Sequence, residues 1–227
     1  VNPVMVAAYI ETLGETLARP SVKQHLAAIR MLMDYLVTGG ILPFNPSSSV
    51  RGPKHIVKRG KTPVLCAADA RKLLDSIPVV VDAATPDVIG LRDRALVALM
   101  VYSFARVGAA VSMRVEDYYA EGKRWWFRLH EKGGKRHEVP AHHNAEAYMD
   151  AYLQAAGHKS EKRSPIFRTT RGRSGELGER GMTRNDALRM IKRRAKTAGL
   201  SPAVSCHTFR ATGITAYLEN GGTIENA

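Results

Sequence analysis

The 227-residue sequence predicts a mainly α-helical protein with one small β-sheet or hairpin. Apolar residues recur every three to four positions over several long stretches, which is the spacing of a single helix face. Two short runs rich in aromatic and β-branched residues flank Gly133-Gly134, a pattern typical of a hairpin with a tight turn. The net charge of +13, from 34 Lys and Arg against 21 acidic residues, favours a polyanionic partner, above all nucleic acid.

The first 40 residues predict two helices. Asn2-Pro3 offers an N-cap and a proline at the first helical position. A clearer helix extends from Ser21 to Val37, where an apolar stripe repeats at helical spacing and Gly39-Gly40 ends it. Lys23 and Arg30 lie off this stripe, so they form either a solvated face or a surface for the DNA backbone.

The helical pattern disappears between residues 41 and 63, where Pro, Gly, Ser and basic residues are frequent. This is the best candidate for a domain boundary. We predict a partial N-terminal helical domain over residues 1–60, with a basic linker from about residue 41, and a larger domain over residues 61–227. Lys58, Arg59 and Lys61 are candidate DNA contacts, although most basic linkers serve only solubility.

Two more helices are predicted before an isolated arginine. One runs from Leu65 to Ile77, and the other starts at Thr85-Pro86-Asp87, which has good capping chemistry, and ends near Phe104. Arg106 follows at a break between helical segments, in an otherwise apolar stretch, so we expect it to be buried. A buried cation needs an anion, and neither sequence neighbour supplies one. Arg106 is therefore a functional cation or the partner of a distant acid.

The predicted hairpin consists of Trp125 to His130 and Lys135 to Val139, with Pro140 ending it. Lys132 and Lys135 bracket the turn, so at least one ammonium group should lie at a mobile tip, with Arg136 beside it. A helix ending at Gly157 follows. Histidines near this junction lack a carboxylate or cysteine cluster, so no metal site is predicted.

Residues 159–196 carry thirteen Lys or Arg and four acidic residues. We interpret residues 159–181 in part as a solvated or mobile loop, in which Arg171 and Arg173 could become ordered against phosphates. Thr183 and Asp186 resemble a capping box that opens a further helix, with Arg184 in its first turn. This helix should end at Gly199.

His207 and Arg210 are three residues apart, so on a helix their side chains leave the same face. One can carry a proton and the other is a fixed cation. The apolar run that follows ends at Gly221-Gly222, which places the pair on the first turn of an anchored helix. Cys206 precedes His207, but adjacent residues diverge on a helix, so a nucleophilic role for this thiol is not favoured.

Taken together, this ordered set of residues resembles the tyrosine recombinases, the phage-integrase family, over nearly the whole chain. The segments that carry the resemblance are Phe104-Ala105-Arg106-Val107-Gly108 for the first arginine box, Glu131-Lys132-Gly133-Gly134-Lys135 for the β-hairpin, and His207-Thr208-Phe209-Arg210 for the second box. The resemblance implies a helical core-binding (SAM-like) domain and a tyrosine-recombinase catalytic domain, which together form a C-shaped clamp on duplex DNA.

The implied activity is site-specific breakage and rejoining of DNA through a 3′-phosphotyrosine, in a synaptic homotetramer and without metal, ATP or another cofactor. Arg106 and Arg210 can clamp the non-bridging phosphate oxygens with forked donors. The resemblance makes Lys132, rather than Lys135, the catalytic lysine that protonates the departing 5′ oxygen. His207 can hydrogen-bond the phosphate or move the proton of the nucleophile.

Three departures from the family pattern stand out. The family often has an acidic residue three positions after the first arginine, where this chain has Ala109, so something else must orient Arg106. Ala211 replaces a frequent histidine. The nucleophilic tyrosine, which the family places beyond the glycines, is not found before Ala227, and Tyr217 is a poor candidate. We therefore expect a fragment that binds DNA without cleaving it.

Alternative functions remain open at this point. A type IB topoisomerase would share the arginine, lysine and histidine chemistry, and a catalytically inert DNA-binding regulator could keep the fold. A basic RNA-binding protein is a third possibility, although no aromatic platform motif is present. No apolar run approaches the roughly 18 to 20 residues of a membrane span, and no signal peptide is evident. We expect a cytoplasmic, nucleoid-associated protein.

Overall fold

The computed structural model describes residues 1–56, 60, 62–82, 85–131, 133–172 and 174–223. The chain folds into two compact units, Val1–Gly60 and Lys61–Ala227. Most of the regular structure is helical and the sheets are small and antiparallel, which confirms the predicted mainly α fold class. In the described part of the chain, no helix combines the length and apolar character needed to cross a membrane.

The helices of the described ranges are α1 (Pro3–Thr16), α2 (Arg19–Thr38), α3 (Ala67–Asp75), α4 (Val88–Tyr102), α5 (Val107–Ser112), α6 (His143–Ala156), α7 (Arg184–Thr197) and α8 (Cys206–Glu219). The strands are β1 (Tyr118–Glu121), β2 (Arg124–His130), β3 (Arg136–Pro140), β4 (Arg168–Thr170) and β5 (Leu177–Gly181). Each predicted helix is present, with ends within a few residues of the predicted ones.

The N-terminal unit contains α1 and α2 around a small apolar core. Asn2 caps α1 as predicted, because its side chain accepts a hydrogen bond from the Met5 amide at 2.9 Å. Arg30 on α2 forms hydrogen bonds within the N-terminal unit. Its Nε donates to the Ser47 carbonyl at 3.3 Å and its Nη2 to the Val50 carbonyl at 2.5 Å. Arg30 therefore fixes the segment after α2 to that helix.

In the larger unit, α4 is the central helix. Residues Ala95 to Met100 are at most 1% exposed, so α4 is buried on every side. Its neighbours are α6 and α8, which pack along it, and α3 and α5. The end of α4 that carries Tyr102 leads directly into the segment with Arg106.

The three-stranded antiparallel sheet has the order β1-β2-β3. Phe127 and Leu129 of β2 are buried against the helices, at 1% and 0% exposure, while Arg128 between them lies on the opposite face of the strand. Gly133 and Gly134 have φ of 84° and 77°, a conformation that glycine adopts without a steric penalty. The hairpin formed by β2 and β3 is thus confirmed.

The structure contains more strands than the sequence predicted, and the expectation of a loop over residues 159–181 was wrong. The structure adds β1 to the hairpin, and it contains a second two-stranded sheet of β4 and β5, inside residues 159–181, which we expected to be a mobile loop. The physical reason is that β4 and β5 are short and mostly polar and have no fully buried residue, so they lack the alternation of apolar and polar residues that marks a half-buried strand.

A buried ion cluster joins α4 to α7. Asp93 is 0% exposed, and its Oδ1 accepts hydrogen bonds from Nε and Nη2 of Arg92 at 3.1 and 2.6 Å. Its Oδ2 accepts from Nε of Arg194 at 2.9 Å and from Nη2 of Arg193 at 3.2 Å. The remaining Nη1 of Arg92 donates to the Arg168 carbonyl at 2.8 Å. One carboxylate thereby fixes the register of the two helices.

The predicted capping box at the start of α7 is also present. The Asp186 amide donates to the Thr183 hydroxyl at 3.1 Å, and the Thr183 amide donates to the Asp186 carboxylate at 2.9 Å. These hydrogen bonds from Thr183 are the main reason that the pKa of Asp186 falls to about 2. The capping box holds the first turn of α7, which carries Arg184.

Candidate active site

The candidate site is built around the segment Phe104–Gly108, which connects α4 to α5. Phe104 has φ of 55°, in the left-handed region that residues with a side chain seldom occupy. Its ring lies beside Gly213 of α8, where a Cβ atom would be 2.5 Å from the Phe104 Cδ1 and 2.2 Å from the Val101 carbonyl oxygen. Glycine at 213 therefore allows α8 to approach this turn closely.

Arg210 on α8 is anchored to this turn. It is half-buried, and its Nη1 donates a hydrogen bond to the Phe104 carbonyl oxygen. Because Phe104 lies two residues before Arg106, this contact places the two predicted catalytic arginines beside one short segment. His207 lies exposed on the first turn of the same helix. The predicted placement of His207 and Arg210 on an anchored helix is confirmed.

Arg106 occupies the N-cap position of α5, at the predicted break between helices. Its side chain is 52% exposed, so the expectation of a buried arginine was wrong. Its Nη1 lies 2.5 Å from Oε2 of Glu131, an acid 25 residues away in sequence at the end of β2. The anion that Arg106 requires thus comes from the hairpin, and the Glu131 side chain is 13% exposed.

A third guanidinium group lies at the other end of the segment. A Cβ atom on Gly108 would be 2.9 Å from Nε of Arg184 and 3.0 Å from its Nη2, so the guanidinium lies directly over this glycine. Arg184 and Arg210 therefore contact opposite ends of Phe104–Gly108, and Arg106 within this segment pairs with Glu131. Among the described residues, three guanidinium groups thus lie at one short segment, an arrangement that favours a phosphate ligand.

The structure distributes the other predicted DNA contacts as follows. Lys135, Arg136 and Arg171 are exposed in the larger unit, and Lys23 is exposed on α2 of the N-terminal unit. The predicted residues that lie outside the described residues are Lys58, Arg59, Lys61, Lys132 and Arg173.

Two features of this region were not predicted from the sequence. Glu131 was not recognised as the partner of Arg106; the available signal was an acid at the end of a predicted strand, beside the catalytic lysine of the resemblance. The outer face of β2 also carries a polar cluster, in which Nε2 of His130 lies 3.2 Å from Oδ1 of the buried Asp117. Arg128 is on the same face and pairs with Glu138 at 2.8 Å.

Alternative nucleophiles near the site are unsuited to that role. Cys206 is buried, and burial raises the pKa of its thiol, so it stays protonated at neutral pH. The Tyr217 ring packs against Phe104, with ring centroids 5.8 Å apart. Within the described ranges, no group of three or more His, Cys, Asp or Glu side chains could hold a metal ion.

Comparisons with known proteins are consistent with this geometry. The phage integrase family model matches residues 71–226. Tyrosine recombinase XerD of Listeria monocytogenes is 28% identical over 206 residues, which are 91% of this chain and 65% of the relative. XerD of Mycobacterium leprae is 30% identical over 215 residues, with 92% and 64% covered. This chain therefore spans somewhat less than two thirds of the length of these relatives.

Solved structures show the same fold. The XerH site-specific recombinase bound to a palindromic difH substrate aligns with a TM-score of 0.73 at 18% identity, covering 100% of this chain and 64% of that protein. A lambda integrase dimer bound to a COC′ core site aligns with a TM-score of 0.69 at 18% identity, covering 98% and 59%.

Proposed function

Because this chain belongs to the phage integrase family, we propose that the whole protein is a site-specific recombinase that breaks and rejoins duplex DNA. The observation that carries the proposal is that Arg106, Arg184 and Arg210 all lie at one short segment, Phe104–Gly108, where Arg106 pairs with Glu131. Residues 61–227 would then belong to the catalytic domain and residues 1–60 to a helical core-binding domain.

The two catalytic arginines are suited to a phosphate. Arg106 and Arg210 each use Nη1 for a contact within the protein, to Glu131 and to the Phe104 carbonyl respectively. Among the described contacts, Nε and Nη2 of both side chains have no protein partner, so each presents a two-donor fork. Such forks match the non-bridging oxygens of a phosphodiester, where charge accumulates in the transition state.

The remaining steps are proton transfers and the attack itself. His207, one turn before Arg210, would hydrogen-bond the phosphate or accept the proton of the nucleophile. Lys132 would protonate the 5′ oxygen as it leaves, a role that rests on the resemblance alone. The nucleophile would be a tyrosine, which forms a 3′-phosphotyrosine and releases the 5′ hydroxyl, and the reverse attack by a 5′ hydroxyl would rejoin the strand.

The proposed partners are duplex DNA and further copies of the protein. The structures of XerH and lambda integrase were determined on DNA, the latter as a dimer. The net charge of +13 supports binding to a polyanion, and recombination between two sites would require a tetramer. These comparisons give no support to the topoisomerase or regulator alternatives.

The proposal is tested in two steps. A random-sequence duplex library, enriched for binding to the protein, would supply a target site, and covalent protein–DNA complexes would then be measured on a nicked duplex carrying it. In the whole protein, Arg210→Ala should lower cleavage by about a hundred- to a thousand-fold, because one preorganised donor set is lost. Duplex affinity should change little. Arg163→Ala, on the exposed surface, is the matched control, and normal cleavage by Arg210→Ala would contradict the assignment.

A further inference from the structure

We propose that Glu131 is the positioning residue of Arg106, holding its guanidinium so that the free edge meets the phosphate that reacts. The inference rests on the proposed function and deepens it. Arg106 has no acidic partner within α5, because the residue one turn later is Ala109, which is buried. A residue from another element must therefore hold its guanidinium group.

The contact between Arg106 and Glu131 can orient the guanidinium group of Arg106 in addition to balancing its charge. Nη1 of Arg106 lies 2.5 Å from Oε2 of Glu131, so the two opposite charges are in direct hydrogen-bonding contact. The Glu131 side chain is 13% exposed, so water screens the carboxylate little, whereas Arg106 is 52% exposed and open to a ligand. The interaction therefore fixes one end of the guanidinium and leaves the other accessible.

The donors of Arg106 are used differently from those of Arg92, the buried arginine of the ion cluster on Asp93. In the ion cluster of α4, Asp93 accepts from both Nε and Nη2 of Arg92, and the Arg168 carbonyl takes Nη1, so all three nitrogens of Arg92 are occupied. In Arg106 only Nη1 is occupied among the described contacts. Every nitrogen of Arg92 thus contacts an acceptor, whereas Nε and Nη2 of Arg106 have none among the described contacts and can bind a ligand.

Glu131 is itself held by the turn of the hairpin. Its amide donates to the Lys135 carbonyl at 2.8 Å, which closes the hairpin beyond the end of β2. This bond fixes the backbone from which the Glu131 side chain reaches Arg106. The ion pair of Arg106 with Glu131 therefore links the residue before α5 to the end of the β2–β3 hairpin, so the position of the guanidinium depends on the position of the hairpin.

The test compares Glu131→Gln and Glu131→Asp with Glu138→Gln in the whole protein. Glu138 is the matched control, because it forms an ion pair on the same hairpin, with Arg128 at 2.8 Å, away from Arg106. Single-turnover cleavage of the selected nicked duplex should fall about 10- to 100-fold in Glu131→Gln, as expected for a misplaced catalytic group. Duplex affinity should stay within about threefold, and Glu138→Gln should cleave like the wild type.

A spectroscopic measurement separates positioning from a loss of folding. In ¹⁵N-arginine spectra of this chain, the Nη groups of Arg106 should be resolved in the wild type, because the contact slows rotation of the guanidinium. They should merge in Glu131→Gln while the other arginine signals persist. Glu131→Asp, which keeps the charge, should recover part of the cleavage rate and part of the signal.

Cleavage by Glu131→Gln at the wild-type rate would overturn the inference. A faster rate would also overturn it, because it would show that Glu131 competes with the phosphate for Arg106. A wild-type protein that neither binds nor cleaves the duplex would instead overturn the proposed function, and this role with it. An Arg106 signal that Glu131→Gln leaves unchanged would show that the contact does not hold the side chain.

Discussion

Replacing Gly213 by alanine should destabilise the larger unit and disturb the anchor of Arg210. The new Cβ would lie 2.2 Å from the Val101 carbonyl oxygen and 2.5 Å from Cδ1 of Phe104. Because the first of these is a backbone atom of α4, it cannot rotate away, and the helices would have to separate by about 1 Å to reach ordinary contact. We expect a cost of about 3 kcal/mol, at the upper end for an overpacked core.

The assay is thermal unfolding followed by tryptophan fluorescence, because both tryptophans, Trp125 and Trp126, lie in β2 of the larger unit. A loss of about 3 kcal/mol should lower the Tm of a domain of this size by about 6 to 12 °C. Gly14→Ala is the matched control: Gly14 lies in α1 of the other unit with nothing within 4 Å of a new Cβ, and the tryptophan signal should not move. A Tm shift below about 2 °C for Gly213→Ala would refute the close approach of α8 to α4.

Two further predictions concern the ion cluster and the helix cap. Asp93→Asn should cost about 3 to 5 kcal/mol, because it leaves buried guanidiniums without their anion; urea unfolding would measure this, with Asp150→Asn in the exposed pair with Lys159 as the control expected to cost at most about 1 kcal/mol. The pKa of Asp186 is lowered from 3.8 to about 2, so the stabilisation from its ionised form is nearly complete above about pH 5 and is lost as the pH falls through 2. Asp186→Ala should therefore cost about 1 kcal/mol at neutral pH and progressively less as the pH falls from about 5 toward 1, and an unchanged difference between wild type and variant across this range would contradict the capping role.

Much of the fold could be predicted because its signals are local. The capping box of Thr183 and Asp186, the glycines of the hairpin turn and the spacing of His207 and Arg210 all involve residues within a few positions of one another. Each element could therefore be recognised without knowing its neighbours in space.

The parts that could not be predicted depend on contacts between distant residues. Glu131 and Arg106 are 25 residues apart, and Arg210 and the Phe104 carbonyl are 106 apart. Apolar neighbours in sequence suggested that Arg106 is buried, yet its chain neighbours face the core while its own side chain faces outward. Arg30 likewise lies off the apolar stripe of its helix, a position typical of a solvated residue. Its side chain nevertheless binds the carbonyl groups of Ser47 and Val50, which are 17 and 20 residues later in the sequence. Its DNA-binding role, like that of Lys23, stays a prediction.

The ion cluster on Asp93 has a mechanical consequence for the site. From Asp93 to Tyr102, α4 rises by about 13 to 14 Å. A change in helix direction at the ion cluster is therefore converted into a displacement of the turn at Phe104. The same holds for α7, in which Arg193 and Arg194 contact Asp93 near one end and Arg184 lies at the other. A tilt of about 5° at the ion cluster displaces the far end of either helix by roughly 1 Å. A displacement of that size in a catalytic group can lower the rate of an enzyme about a hundred-fold. The orientation of α4 and α7 at the candidate site is thus coupled to contacts with one buried carboxylate at the far end of both helices.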